Sequence, residues 1–209
     1  GSEAPADQTP EAQTRTFWAW DLSVMPPSEK QIEATSRLTS EHAYFYVENA
    51  LWDAGDVTLE QLEALSQSLE KQTPKDSIEP SRGIIANNIE MFGPIPDMLD
   101  GDPRMYIFIT NIEGFNGTQF DGFFRAMDQM KDSVSVKETG YHSNEIEMLF
   151  INGKIRPVSS IATTSVIAHE MLHLIEYGLD PAEGGWMSEA LAEVAMTING
   201  YYTDQNWVS

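Results

Sequence analysis

Residues 169–173 read His-Glu-Met-Leu-His inside a stretch that is otherwise apolar: Val166, Ile167, Ala168, Met171, Leu172, Leu174 and Ile175. Such a stretch has to bury most of its surface, and its length predicts a core helix over 163–177 rather than a strand. On a helix, positions i and i+4 share a face about one turn apart, so His169 and His173 point at one spot. Two imidazoles and a carboxylate are costly to bury in such a helix without partners. A metal ion is one such partner, and neutral imidazole suits Zn²⁺. Glu170 is rotated about 100° from His169. It therefore stands beside such an ion rather than on it, where a carboxylate can take a proton from water. The chain has 4 histidines in all, and H-E-x-x-H arises by chance about 0.007 times in a chain of this make-up.

A catalytic zinc site takes three protein ligands and keeps one position open. The motif does not extend into H-x-x-G-x-x-H, because Glu occupies position 176 and no later His exists. The third ligand is then a carboxylate, or His42 or His142 from upstream. Downstream carboxylates are Glu176, Asp180, Glu183, Glu189 and Glu193. Glu189 is the strongest of them. A second helix, predicted over 188–199, folds back along the first and carries Glu189 toward the histidine pair. Glu193 lies one turn later on the same face, where it can accept a hydrogen bond from the second nitrogen of a ligating imidazole.

Composition narrows the remaining function classes. With 12 basic and 33 acidic residues the net charge is −21, which repels nucleic acid and anionic lipid and suits basic substrates or divalent cations. There are no cysteines, so disulfides, thiolate zinc sites and cysteine nucleophiles are excluded. No apolar run reaches the 18 or so residues of a membrane span. Gly1-Ser2 resembles an expression scar, and residues 1–14 read as a polar tether. Residues 15–209 read as one α+β domain, with an α/β part to about residue 158 and a helical part from about 159.

Strands are expected over 15–23, 32–39, 42–48, 104–110 and 145–151. Asn152-Gly153 is a hairpin signal into a further strand over 154–158. Helices are expected over 58–71, where Thr58 and Gln61 form a capping-box pair, and over 81–92. Gly178 and Gly200 stand where helices would end. Asp97, Asp100 and Asp102 form an acidic loop that reads as a turn, with Ca²⁺ binding as the alternative.

The order H-E-x-x-H, a short loop, then Trp186-Met187-Ser188-Glu189-Ala190-Leu191-Ala192-Glu193 resembles the gluzincin group of zinc peptidases. More narrowly it resembles the hyicolysin-like neutral zinc metallopeptidases of bacteria. Ser143-Asn144-Glu145 leading into a strand, and Arg104 to Thr110 before a Gly-rich loop, match as well. The likeness covers roughly residues 87–200. It implies a zincin-like catalytic domain with one catalytic zinc on His169, His173 and Glu189. It implies Glu170 as general base, Glu193 as the supporting carboxylate, and a secreted or envelope protein acting on peptides or proteins.

Thermolysin-like members place an oxyanion-stabilising His or Tyr far downstream, whereas this chain ends at Ser209. Tyr177, Tyr201, Tyr202 or His142 is then expected in that role, unless a C-terminal part lies beyond this sequence. An extended substrate is expected to pair with the strand over 145–151. Two other readings stay open: a zincin-fold surface binding module without activity, and a zinc-dependent amidohydrolase acting on a non-peptide amide.

Overall fold

The computed structural model describes residues 12–97, 99–179 and 195–201, and structural statements refer to these. Three strands open the chain as an antiparallel meander: β1 (Thr14–Asp21), β2 (Ser28–Thr39) and β3 (Ala43–Glu48). Three helices follow, α1 (Asn49–Asp53), α2 (Leu59–Glu70) and α3 (Ile84–Phe92). Then come β4 (Met105–Thr110), the short β5 (Gly122–Phe124), α4 (Asp132–Thr139), β6 (Met148–Asn152) and α5 (Ile161–Leu179). The expected α+β class holds.

The six strands form one mixed sheet in the order β1-β2-β3-β4-β6-β5. Strands β3, β4 and β6 run parallel, because a helical crossover separates each from the next. β5 runs antiparallel to β6.

Side chains alternate across the central strands, giving the sheet two cores. Phe45, Val47, Ile107, Ile109, Leu149 and Ile151 face the helices and pack with Leu62, Leu65, Ile84, Ile167 and Met171. Phe17, Tyr46, Phe108, Met148 and Phe150 line the opposite face, whose rings stack on one another. The capping box of α2 forms as expected: the Gln61 amide donates to Thr58 Oγ1 at 3.3 Å and the Thr58 amide to Gln61 Oε1 at 3.4 Å.

The hairpin expected at Asn152-Gly153 does not form, and 154–158 is not a strand. Asn152 ends β6 by donating to the carbonyls of Ile112 and Phe120 and accepting from the Lys154 amide. That side-chain turn sends the chain off the sheet. Gly153 also lies so close to the core that a Cβ would sit 2.5 Å from Ile109 Cγ2. α5 runs through Gly178 rather than ending there. This glycine serves packing, since a Cβ would lie 2.5 Å from that of Pro96. Gly200, at φ 76°, takes the helix-ending role expected of it, with the Tyr201 amide bonded back to the Met196 carbonyl. Helices α1 and α4 are additions to the sequence reading.

The two sheet edges differ. The outer edge of β1 is covered by Asn144, whose amide accepts from the Trp18 N–H at 2.8 Å and donates to the Trp18 carbonyl at 2.9 Å. The other edge is β5. Among the described residues, no helix is long and apolar enough to cross a membrane.

Candidate metal centre

α5 buries Ile167, Ala168, Met171, Leu174 and Ile175 against the helix-side core. Leu172 packs toward Ala195 and Phe92. What is left is a half-buried stripe that carries His169, Glu170, His173, Glu176 and Tyr177. The apolar pattern that makes α5 a core helix therefore also aims its polar residues together.

The two imidazoles converge. His169 Nε2 and His173 Nε2 are 3.2 Å apart, with the rings inclined by 66°. Two nitrogens on one tetrahedral zinc, each roughly 2.0–2.1 Å from it, stand roughly 3.3 Å apart. The observed pair fits that spacing without rearrangement. It also fits a hydrogen bond between one protonated and one bare nitrogen, so the fit is geometric and leaves the ion's identity to the donor chemistry. Two imidazoles are a borderline-soft donor pair that suits zinc better than magnesium or calcium.

Glu176, one of the candidate third-ligand carboxylates, stands beside the pair. Its Oε2 lies 3.9 Å from His173 Nδ1, the nitrogen turned away from His169. That is ion-pair range and longer than a hydrogen bond. The carboxylate can orient the imidazole, a task that the sequence reading gave to Glu193. The i, i+3 spacing from His173 is the signal that could have found it.

Of the described oxyanion candidates, Tyr177 shares this stripe, and Tyr201 and His142 fall elsewhere. Tyr177 lies one turn beyond His173, its ring 6.1 Å from that of Phe124 on β5. Burial and then the nearby Glu138 charge push its phenol above the ordinary tyrosine range. Tyr201 is buried with its hydroxyl toward Thr164 and Ser68, and burial raises its pKa. It lines a cavity of 270 Å³ together with those two residues.

His142 is not brought to the histidine pair. Its ring stacks on Trp18 at 4.1 Å and its Nδ1 meets Asp132 at 3.0 Å, on the aromatic side of the sheet. His42 is likewise engaged elsewhere, with Nδ1 2.8 Å from Glu70 at the end of α2. Asp180, Glu183, Glu189, Glu193 and Tyr202 lie outside the described residues.

Among the described residues, Glu41, His42 and Glu70 form one group of potential metal donors, and Asp97, Asp100 and Glu147 another. Neither includes the α5 pair. The second group alters the calcium reading. Asp102 leaves the acidic loop to accept from the Tyr44 hydroxyl at 2.5 Å and the Arg104 amide at 3.0 Å, and the buried Glu147 takes its place.

The strand expected to pair with substrate is corrected. β6 lies between β4 and β5, and its backbone is occupied on both sides. The strand with an outer edge on this side is β5, which packs on α5. Gly122 makes that approach feasible: a Cβ there would stand 2.6 Å from the Phe150 carbonyl oxygen and 3.0 Å from Val166 Cγ1. Comparison with protein-family models and with curated proteins finds no match to this chain.

Proposed function

We propose that the chain is a zinc-dependent endopeptidase with a zincin-like catalytic domain. In this reading His169 and His173 hold one Zn²⁺ and Glu170 is the general base. The observation that carries it is the 3.2 Å convergence of the two Nε2 atoms on the half-buried face of α5, next to a carboxylate. The third ligand, Glu189, and the supporting Glu193 come from the gluzincin resemblance. A bound zinc ion supplies Lewis-acid chemistry, polarising a carbonyl and acidifying water to near neutral pH.

The protein's own residues do the rest. Glu170 accepts a proton from the attacking water and delivers it to the leaving amine. Glu176 stands in ion-pair range on the Nδ1 side of His173, where its charge favours one orientation of the ring. The outer edge of β5 offers backbone groups to an extended peptide, running beside α5. The net charge of −21 draws basic peptides more readily than acidic ones. A secreted or envelope location accords with a chain that folds without cysteine.

The test pairs metal analysis with cleavage of a broad peptide library. Wild type is expected to bind one zinc and to cleave. Glu170→Gln is expected to keep the zinc and lose roughly 10²–10⁴-fold in kcat/KM. A wild-type protein without zinc, or a Glu170→Gln protein with full activity, sinks the proposal.

A further inference from the structure

Three segments far apart in sequence share one buried amide network behind the histidine pair. Asn88 on α3 is fully buried, and its Nδ2 donates to the Ala168 carbonyl at 3.2 Å. That carbonyl belongs to the peptide group that begins His169. Asn88 Oδ1 in turn accepts from Asn199 Nδ2 at 2.8 Å. Asn199, also fully buried, donates to the Ala195 carbonyl at 2.8 Å and accepts from Asn87 Nδ2 at 3.1 Å. Asn199 closes the helical turn of 195–198, the described end of the second helix expected from the sequence.

We propose that Asn88 and Asn199 form a positioning bridge, setting the rotation of the metal-binding helix α5 relative to α3 and to the helical turn at 195–198. The inference rests on the zinc reading above. Its physical basis is directionality. The contacts of Ile167, Met171, Leu174 and Ile175 are apolar and non-directional, so they resist separation of α5 from the sheet far better than rolling of α5 about its axis. A roll of roughly 20° moves an atom 5–6 Å from the axis by about 2 Å. Zinc ligands tolerate about 0.2 Å. A hydrogen bond to one carbonyl of α5, one residue before His169, opposes that roll where it matters. Its donor is itself gripped by the second helix.

The bridge carries a cost that a merely structural contact would not need. Burying two asparagines requires that their donors and acceptors be met, and an apolar pair of similar volume would hold α3 to α5 as well. What the amides add is a fixed register between three segments.

The test measures zinc affinity by chelator competition and the visible spectrum of the Co²⁺-substituted protein, in wild type, Asn88→Ala, Asn199→Ser and Leu65→Ala. The last is a core control for loss of melting temperature, an apolar contact of the same core that makes none of the bridge's hydrogen bonds. Both asparagine variants are expected to weaken zinc about 10- to 100-fold and to shift the Co²⁺ bands. Leu65→Ala is expected to melt early with wild-type affinity and spectrum. Asparagine variants that hold zinc as wild type does, or a control that weakens it equally, overturn the bridge. If Asn88→Ala does not fold, Asn199→Ser decides. A wild type that takes up no zinc instead sinks the metal reading itself, which separates the two failures.

Discussion

The two faces of the sheet are built from the same strands and solve the same burial problem differently. On the helix face, aliphatic residues of β3, β4 and β6 meet α2, α3 and α5. There the polar groups of α5 are collected on one stripe. On the aromatic face, the segment between 125 and 146, irregular on both sides of α4, is fastened to the sheet by polar side chains. Arg125 is fully buried, holds Asp128 through two hydrogen bonds of 2.9 and 2.7 Å, and lies over the rings of Trp20 and Phe150.

The histidines show the contrast. His142 has its ring on Trp18 and its Nδ1 on Asp132, whereas His169 and His173 turn their Nε2 atoms toward each other. A helix leaves its outward groups available for chemistry, because its backbone is satisfied internally. A loop draws on its side chains to satisfy its backbone.

The contrast can be broken by separating stability from metal binding. The largest effect is expected from His173→Ala, which should abolish both zinc uptake and hydrolysis while leaving the far-ultraviolet circular dichroism unchanged; retained stoichiometric zinc would contradict the assignment. Next comes Arg125→Ala. Removing one partner of a buried pair strands the Asp128 charge and should cost about 3–5 kcal/mol in denaturant unfolding, with zinc affinity of the folded protein unaltered. A weakened metal site would mean that the faces are coupled.

Asn144→Ala should cost about 1–3 kcal/mol, because it uncovers the Trp18 N–H and carbonyl, and it should raise the tendency to aggregate, readable by light scattering. The smallest effect belongs to Asp132. The Ser143 amide, and after it the His142 ring, hold its carboxyl below the ordinary carboxylate range. A depressed folded pKa means stability present above the unfolded value and lost as pH falls through the folded one. Asp132→Asn should therefore flatten the acid end of the stability profile and leave neutral-pH hydrolysis alone.

Local patterns were legible in the sequence and non-local partnerships were not. The continuous β-forming run of Met105–Thr110, the Thr58–Gln61 cap and the i, i+4 histidines are each written within a few residues, and each appears in the fold. β5 is three residues, Gly-Phe-Phe, with no period to read; its strand character comes from pairing with β6. α4 buries only Ser135, so it has no apolar stripe to announce it. At the site, the histidine pair was legible, whereas the contact of Asn88 with a carbonyl 80 positions away was not. The hairpin fails because Asn152-Gly153 looks the same whether the preceding strand has a free edge or, as here, β4 and β5 already pair with both sides of β6.

Asn144 has a consequence for how the molecule can associate. By supplying one side-chain amide in place of a neighbouring backbone, it interrupts the longer margin of the sheet at Trp18, where an incoming extended chain would otherwise pair. A visiting segment from another molecule is thereby diverted to the three-residue margin at β5, beside α5. The same cap thus acts as a filter on direction, since the other margin, β5, packs on the helix that carries the histidines.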